Sequence, residues 1–335
     1  VAILGVLTVG TVVCSGNSTF ILYLIMILAA KEVNVRTIVK LTCIIQGAML
    51  LSIVVMSQIG IIPDYIFDAS TRQRHGLGFL WTTTGAILYF YFMVLYIYLR
   101  EERAHLIEYV ILEAVNFGLY KLTDARMSFY LSTLLLVYVY VMRFYWQNRK
   151  NRIRKNRLLI GAPAFFCILA VACQIFYIPT DARWQKINSV LSGRLELGCF
   201  GWRDYGFSLL GTKIEWIGFS HNATAGAYNY VDCSYMQILL ENGLIPLVII
   251  IAVYTYIMYM AVKEKDFYLQ TAVLLITAFS ITEPRLLNLA YNPLPFFGIT
   301  YISLRGRSAL FHREGHRLNR RVRFRTTHVR LKARK

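Results

Sequence analysis

Residues 243–262 read GLIPLVIIIAVYTYIMYMAV, a run of 20 residues without a charged side chain. A helix needs about 20 mainly apolar residues to cross the hydrocarbon core of a bilayer, so this stretch predicts a transmembrane helix. Apolar residues make up 57% of the 335-residue chain and charged residues 16%. Because this composition is typical of proteins that cross the membrane many times, we expect an all-α, polytopic integral membrane protein.

Ten apolar segments are candidates for transmembrane helices, although the first two are short and are broken by the polar residues 15–18. The candidates are Val1–Val13, Cys14–Ala30, Ile38–Ile62, Leu80–Leu99, Ala104–Leu122, Met127–Tyr145, Leu158–Tyr177, Gly243–Val262, Phe267–Thr282 and Leu286–Leu304. The chain begins without an initiator Met in an apolar stretch, so we expect a start truncated in or before a spanning helix. The sequence therefore predicts about ten transmembrane helices in this chain.

The net charge of +18 is concentrated in two segments. Ten arginines and two lysines lie in Arg305–Lys335, and seven cations without an acid lie in Arg143–Arg157. Basic segments beside apolar helices follow the positive-inside rule, so both are predicted to be cytoplasmic. We interpret them as contacts to anionic membrane lipids and do not expect a nucleic-acid partner.

This assignment orients the remaining loops. The segments predicted to face outward are Pro63–Phe79, Thr123–Arg126, Ile178–Asn242 and Glu283–Asn292. The chain is then predicted to comprise an N-terminal transmembrane bundle (1–177), one long extracytoplasmic loop with short helices (178–242), C-terminal transmembrane helices (243–304) and a basic cytoplasmic tail (305–335). The expected location is the bacterial cytoplasmic membrane, with the C-terminus in the cytoplasm.

Arg126, Arg194 and Arg285 all fall on the predicted outer side. A guanidinium stays charged at any physiological pH and is costly beside hydrocarbon unless it has a partner. Cations gathered on the outer side of a membrane bundle indicate an anionic substrate, and phosphate fits best.

Each of these arginines also has an ordinary interpretation as a structural ion pair. Ser192 is a natural N-cap, which would place Arg194 in a first helical turn, where a cation and free N–H groups could surround an anion. Glu196 or Asp204 could instead pair with Arg194. Asp124 could pair with Arg126, and Glu283 could neutralise Arg285.

Arg72 and Arg74 lie in TRQRHGLGF (residues 71–79), where the glycines would allow the backbone to approach a ligand. A plain interfacial loop is equally compatible with this stretch.

Asp232 and His221 are the candidate catalytic bases. Asp232 heads DCSYMQILLENG (residues 232–243), which is typical of a short helix at the outer interface. Asp232 could deprotonate a hydroxyl or merely cap that helix. His221 has a pKa suited to the same task, but a lone loop histidine is more often inert.

The long loop also contains tryptophans and cysteines. Trp202 and Trp216 could stack on sugar faces, or could anchor the loop at the membrane interface. Cys199 and Cys233 could form a disulfide. The six cysteines contain no C-x-x-C with a partner histidine, so no metal and no other cofactor is expected.

Several of these motifs, in this order, resemble the O-antigen polymerase and ligase superfamily of Wzy/WaaL-like membrane glycosyltransferases. The matching pieces are RQRHGLGF (72–79), TDARMS (123–128), SGRLE (192–196), DCSY (232–235) through Gly243, and EPR (283–285) before Asn288 and Asn292. The resemblance covers about residues 38–304 and implies a helical fold of the GT-C type with an active site at the outer membrane face.

The resemblance further implies polymerisation of oligosaccharide repeat units carried on undecaprenyl pyrophosphate, without a metal ion. It makes Arg126 and Arg194 the leading pyrophosphate ligands, with Arg285, Arg72 and Arg74 as further candidates. Ligases of the superfamily have a histidine where this chain has Asp232, which favours a polymerase. The alternatives are an O-antigen-type ligase, or a flippase or exporter of lipid-linked sugars. The basic tail could bind a chain-length regulator or only lipid.

Overall fold

The computed structural model describes residues 2–69, 72–148, 157–218 and 228–303, and most of these residues are helical. The helices are α1 (Ala2–Ser15), α2 (Thr19–Ala29), α3 (Val35–Gln58), α4 (Thr84–Arg100), α5 (Leu106–Thr123), α6 (Arg126–Asn148), α7 (Ala162–Ile175), α8 (Ala182–Val190), α9 (Arg194–Tyr205), α10 (Ser234–Glu241), α11 (Leu244–Glu264), α12 (Phe267–Phe279) and α13 (residues 295–303). A 3₁₀ turn, Arg157–Gly161, leads into α7.

Three helices among the described residues are long and apolar enough to cross a membrane. They are Val35–Gln58, Arg157–Ile175 and Leu244–Glu264. Two more apolar helices, Leu4–Ser15 and Phe267–Phe279, are shorter. The predicted helical class is therefore confirmed in its main part, and a membrane protein is compatible with these helices. The predicted number of ten spans is not established by their lengths.

The centre of the bundle is formed by α4 and α12. Twelve residues of α4 and eleven of α12 are buried, on all sides of each helix. Phe90 of α4 and Phe279 of α12 pack with their ring centroids 4.4 Å apart. Helix α3 packs at the periphery, where Leu41, Ile44 and Ile45 are each 55% exposed. An exposed apolar surface of this kind is what a lipid-facing helix presents.

The predicted helix Leu286–Leu304 was wrong in its first half. The chain follows an irregular path from residue 280 to 294, and a helix resumes only at 295. Pro284 and Pro293 lie in this stretch, where a proline cannot donate a backbone hydrogen bond to a helix, and Pro295 is the first residue of α13. The buried Asn292 instead binds the carbonyl of Leu286 at 2.7 Å, which satisfies part of the irregular backbone.

The predicted helix Leu80–Leu99 also begins later than expected, at Thr84. Leu77 and Gly78 have φ values of 52° and 84°, so the chain turns before α4. An antiparallel hairpin of β1 (Ile66–Ala69) and β2 (Arg72–His75) precedes this turn, and it departs from the all-α expectation. Asp64 holds the hairpin base, because its carboxylate contacts the His75 ring at 2.6 Å and accepts the N–H of Leu77 at 2.7 Å.

Arg36 at the start of α3 and Arg100 at the end of α4 lie at the same end of the bundle. At this end, which we call the basic end, Arg36 pairs with Glu101 at 3.0 Å, and Arg100 pairs with Glu108 at 2.6 Å. The four segments predicted to face outward meet at the opposite end, where, for example, Arg74 Nε donates to the carbonyl of Thr123 at 2.9 Å. The compartment that each end faces stays a prediction from the distribution of cations.

Candidate functional site

A cleft of about 650 Å³ opens at the end opposite the basic end. Each of the four segments predicted to face outward contributes side chains to its wall. These include Arg74 from β2, Arg126 from the start of α6, Arg194 and Asp232 from segment 178–242, and Glu283 and Arg285 from segment 280–294. Residues far apart in the sequence are therefore brought together around one cavity.

Arg194 is more enclosed than Arg126 and Arg285 of this cleft, with 15% of its side chain exposed. Its Nη2 donates to Glu283 Oε1 at 3.0 Å, and its Nε lies 3.6 Å from Asp232 Oδ2. The partners are thus two carboxylates of the cleft, and not Glu196 or Asp204, the partners that the sequence offered.

The start of α9 differs from the prediction. Ser192 is not the N-cap: Gly193 takes that position with a φ of 84° and no side-chain cap hydrogen bond. Asn188 Oδ1 accepts the backbone N–H groups of residues 195 and 196 at 3.1 and 3.3 Å. Because Asn188 occupies these donors, the helix N-terminus does not supply them to an anion, and the guanidinium of Arg194 remains as the anion-binding group.

Glu283 bridges two guanidiniums. Its Oε1 contacts Arg194, and its Oε2 contacts Arg285 Nη1 at 3.1 Å. The guanidinium of Arg285 also stacks over the ring of Tyr291, with 4.8 Å to the ring centroid. The pairing of Arg285 with Glu283 that the sequence left open is therefore present.

Burial raises the pKa of both carboxylates that face Arg194. It raises the pKa of Glu283 to about 7, although the guanidiniums of Arg194 and Arg285 act in the opposite direction. Burial also raises the pKa of Asp232 above its ordinary value, again against the pull of the same two arginines. A carboxylate with a raised pKa is a stronger base than an exposed one, and Glu283 can change its charge near neutral pH.

Ser234 joins the segment that carries Asp232 to the segment that carries Glu283. Its hydroxyl donates to the carbonyl of Glu283 and accepts the N–H of Leu286 at 3.1 Å, while its own N–H donates to the carbonyl of Ser280 at 2.9 Å. These hydrogen bonds of Ser234 to the backbone of the other segment hold the segments of Asp232 and Glu283 against each other.

The predicted interfacial helix headed by Asp232 was wrong in two respects. Helix α10 begins at Ser234, so Asp232 precedes the helix and is not its cap. Six of its eight residues, including Tyr235 and Met236, are buried in the core. The side chain of Asp232 is therefore not used to cap α10, and it lines the cleft instead.

Arg126 lies at the more open side of the cleft. It is the first residue of α6, and its Nε lies 3.3 Å from Asp124 Oδ1, with 44% of the arginine side chain exposed. Asp124 has a φ of 48°, which ends α5 in a tight turn and presents Arg126 to the cavity. An ion pair this exposed contributes little stability, so Arg126 can exchange its partner at low cost.

The structure places the remaining predicted residues differently. Trp216 lines the cleft and donates from Nε1 to Glu241 at 3.2 Å, whereas Trp202 packs against the hydrophobic core and is not part of the wall. Arg72 lies in β2, but its side chain is outside the described residues, and His221 lies wholly outside them.

Three aromatic residues of the wall escaped the sequence analysis: Trp81, Tyr228 and Tyr230. Trp81 was assigned to a spanning helix, because the turn at residues 77–83 was not recognised. Tyr230 packs edge-on against Trp216, with ring centroids 6.0 Å apart. The cleft therefore combines charged groups with aromatic rings, as sugar-binding sites do.

Two further observations complete the site. Four arginines and three carboxylates line the cleft, so its lining carries a net charge of +1 when every group is ionised.

Cys199 and Cys233 are both free and buried, and the predicted possibility of a disulfide is not realised, since the Cys199 thiol faces the carbonyl of Tyr177 at 3.8 Å.

No family model, curated protein or solved structure matches this chain. The function has to be inferred from the residues of the cleft.

Proposed function

We propose that this chain is an integral membrane glycosyltransferase that polymerises oligosaccharide repeat units carried on undecaprenyl pyrophosphate into a surface polysaccharide. The observation that carries the proposal is the convergence of Arg74, Arg126, Arg194 and Arg285 on one cleft, at the end of the bundle predicted to face outward. A guanidinium matches the geometry of a phosphate and can donate two parallel hydrogen bonds to two of its oxygens.

The carboxylates of the cleft order its arginines, although an ionised carboxylate also repels a phosphate. Unpaired arginines at this density would repel one another, and Glu283 and Asp232 hold Arg194 and Arg285 in a defined arrangement before substrate binds. A pyrophosphate carries more negative charge than a single carboxylate, so it can replace these contacts. Donors oriented in advance toward a developing charge are the usual source of electrostatic catalysis.

A lipid-linked substrate is supported by the cavities beside the cleft. A groove of about 180 Å³ with apolar walls runs between α1, α2, α11 and α13. It shares Phe20, Tyr23 and Leu287 with a small polar cavity, and that cavity shares Pro284 with the cleft. The three cavities thus adjoin one another in an order that suits a molecule with a charged head and a long hydrocarbon tail.

In the proposed reaction, Asp232 accepts the proton of a sugar hydroxyl on the incoming repeat unit. The hydroxyl oxygen then forms a bond to the anomeric carbon of the growing chain. The bond from that carbon to pyrophosphate breaks, and its electron pair leaves with the pyrophosphate, which Arg126 and Arg194 neutralise. Arg285 and Arg74 add positive charge, Arg72 stays a further candidate, and no metal ion enters the step.

Other parts of the proposal rest on the sequence. His221 stays an alternative base. Trp216 is positioned to stack on a sugar, and the same role for Trp202 is not favoured by its place in the core. We further propose the GT-C type of bundle, about ten spans, a bacterial cytoplasmic membrane and a cytoplasmic tail that contacts anionic lipids or a chain-length regulator.

The test compares Arg194→Ala with Arg203→Ala. Both arginines belong to α9, but Arg203 is exposed in the last turn and does not line the cleft. Membranes containing each variant are supplied with lipid-linked repeat units, and the products are sized by electrophoresis. We expect a ladder of polymers from the native chain and from Arg203→Ala, and only single units from Arg194→Ala.

Other product patterns would point elsewhere. A normal ladder from Arg194→Ala would remove that residue from the active site. A native protein that moves finished polymer to another acceptor without making a ladder is a ligase. If the native protein forms no glycosidic bond but moves the lipid-linked unit across the membrane, it is a flippase.

A further inference from the structure

A second charged pocket lies at the basic end, remote from the cleft. Its volume is about 470 Å³, and it is enclosed by the first half of α3 and the last turns of α4. Arg36, Lys40 and Arg100 line it, together with polar Asn34, Thr37 and Tyr96. Among the described residues no carboxylate belongs to this lining. Glu101 and Glu108 pair with Arg36 and Arg100 from outside it, so one net positive charge, that of Lys40, is left to attract an anion.

The side chains on one face of α3 change from cationic to apolar along the helix. Arg36, Lys40 and Ile44 follow one another at intervals of four residues, which places them on one face of the helix, a turn apart. All three line the pocket. Leu41 and Ile45, next to them on the helix, are each 55% exposed. The pocket is therefore cationic at the helix start and opens onto an apolar surface deeper along α3.

The three cations of the pocket differ in their ion pairs with neighbouring residues. Arg36 pairs with Glu101, and both side chains are at least 40% exposed, so the pair is readily exchanged. Arg100 is bound by Glu108 at 2.6 Å. Lys40 makes no ion pair or hydrogen bond with any residue that the structure describes. Lys40 is exposed, so its ammonium is free to pair with an anion that lies beside the apolar surface of α3.

We infer that this pocket binds the headgroup of an anionic membrane phospholipid. Its phosphate lies between Lys40 and Arg36, and its acyl chains follow the exposed face of α3 past Ile44. A soluble phosphate would satisfy the cations but not the apolar surface, whereas a phospholipid satisfies both. Basic pockets between helices on the cytoplasmic side are typical places for such headgroups. This inference does not depend on the glycosyltransferase proposal.

The test measures thermal unfolding of the purified protein in a neutral detergent, with added phosphatidylglycerol or phosphatidylcholine. We expect phosphatidylglycerol alone to raise the midpoint, in a saturable manner. Lys40→Gln should weaken the apparent affinity about five-fold, which is the usual effect of one surface cation on anionic-lipid binding. Lys40→Arg should retain it.

Lys31→Gln is the matched control, because Lys31 is an exposed lysine near the start of α3 and does not line the pocket. An equal loss in Lys31→Gln and Lys40→Gln would show diffuse attraction and overturn the site. So would equal stabilisation by phosphatidylcholine. If inorganic phosphate stabilises the protein as well as phosphatidylglycerol does, the pocket is a site for free phosphate and the lipid assignment is wrong.

Discussion

Substitution of Glu283 gives a quantitative test of how the charge of this carboxylate affects the binding of pyrophosphate in the cleft. Glu283 contacts both Arg194 and Arg285, so it occupies the position where an incoming phosphate oxygen would have to bind. Glu283→Gln keeps the shape of the side chain and removes its charge. The variant resembles native Glu283 in its protonated state, and its expected effect therefore depends on pH.

The size of the effect follows from two estimates. A carboxylate and one phosphate charge roughly 6 Å apart, at an effective dielectric constant of about 20, repel by about 3 kcal/mol, which is about a hundred-fold in affinity. However, with a pKa of about 7, about one native molecule in ten carries protonated Glu283 at pH 8. Because pyrophosphate can bind this fraction, the native protein should be weaker than Glu283→Gln by about ten-fold and not a hundred-fold.

The sign of the pH dependence follows from the same raised pKa. Below about pH 7 the native carboxyl is mostly neutral, and at pH 6 native protein and variant should bind pyrophosphate equally. Above pH 7 the native carboxyl ionises, and the variant should bind more tightly. Comparing both proteins at one pH cancels the ionisation of pyrophosphate itself.

Isothermal titration calorimetry of the purified proteins in neutral detergent, at pH 6 and pH 8, measures this ratio. Glu215→Gln is the control, since Glu215 is exposed at the same end of the molecule and does not line the cleft. Weaker binding by Glu283→Gln at pH 8 would refute the reasoning, because Glu283 would then serve mainly to orient the guanidiniums. A ratio that does not change with pH would refute the assignment of the titrating group.

Three further changes probe the supports of the cleft. Ser234→Ala should lower the free energy of unfolding by about 1–3 kcal/mol, because it leaves the buried N–H of Leu286 without its acceptor; an unchanged melting temperature would contradict this. Gly198→Ala should cost about 1–3 kcal/mol, since the new methyl group would lie 1.6 Å from Gln174 Oε1, and adding Gln174→Ala should restore most of the melting temperature. Trp216→Ala should raise KM for the lipid-linked unit by up to about ten-fold through loss of ring contact with a sugar, whereas a variant whose KM is unchanged would exclude that contact.

The helices and the grouping of the outward segments could be predicted from the sequence. An apolar run such as 243–262 has little choice of conformation in a bilayer, since every backbone N–H and carbonyl must be satisfied within the segment. The cations between the runs then determine which loops share an end, and in the structure those four segments do meet around one cleft.

The backbone conformation of the irregular stretches could not be predicted from hydropathy and charge. Trp81 was placed in a helix because residues 80–99 are apolar, but the left-handed conformations of Leu77 and Gly78 turn the chain before α4 begins. Likewise, the apolar character of residues 286–294 concealed a non-helical path that Asn292 stabilises through hydrogen bonds to Leu286 and Tyr254. Hydropathy reports where a segment can be buried, and it does not report the backbone conformation in which it is buried.

The ion pairs also differ in whether the sequence could predict them. Arg126 with Asp124 and Arg285 with Glu283 are each two residues apart, and the local chain geometry places them within reach, so the sequence could offer both. The contact between Arg194 and Glu283 spans 89 residues. Two long-range arrangements bring these residues together: α9, which carries Arg194, packs against α10, and Ser234 at the start of α10 is hydrogen-bonded to the backbone of Glu283 and Leu286. Local spacing therefore accounts for the charges that each loop brings, while long-range packing determines that Arg194 and Arg285 share one buried carboxylate.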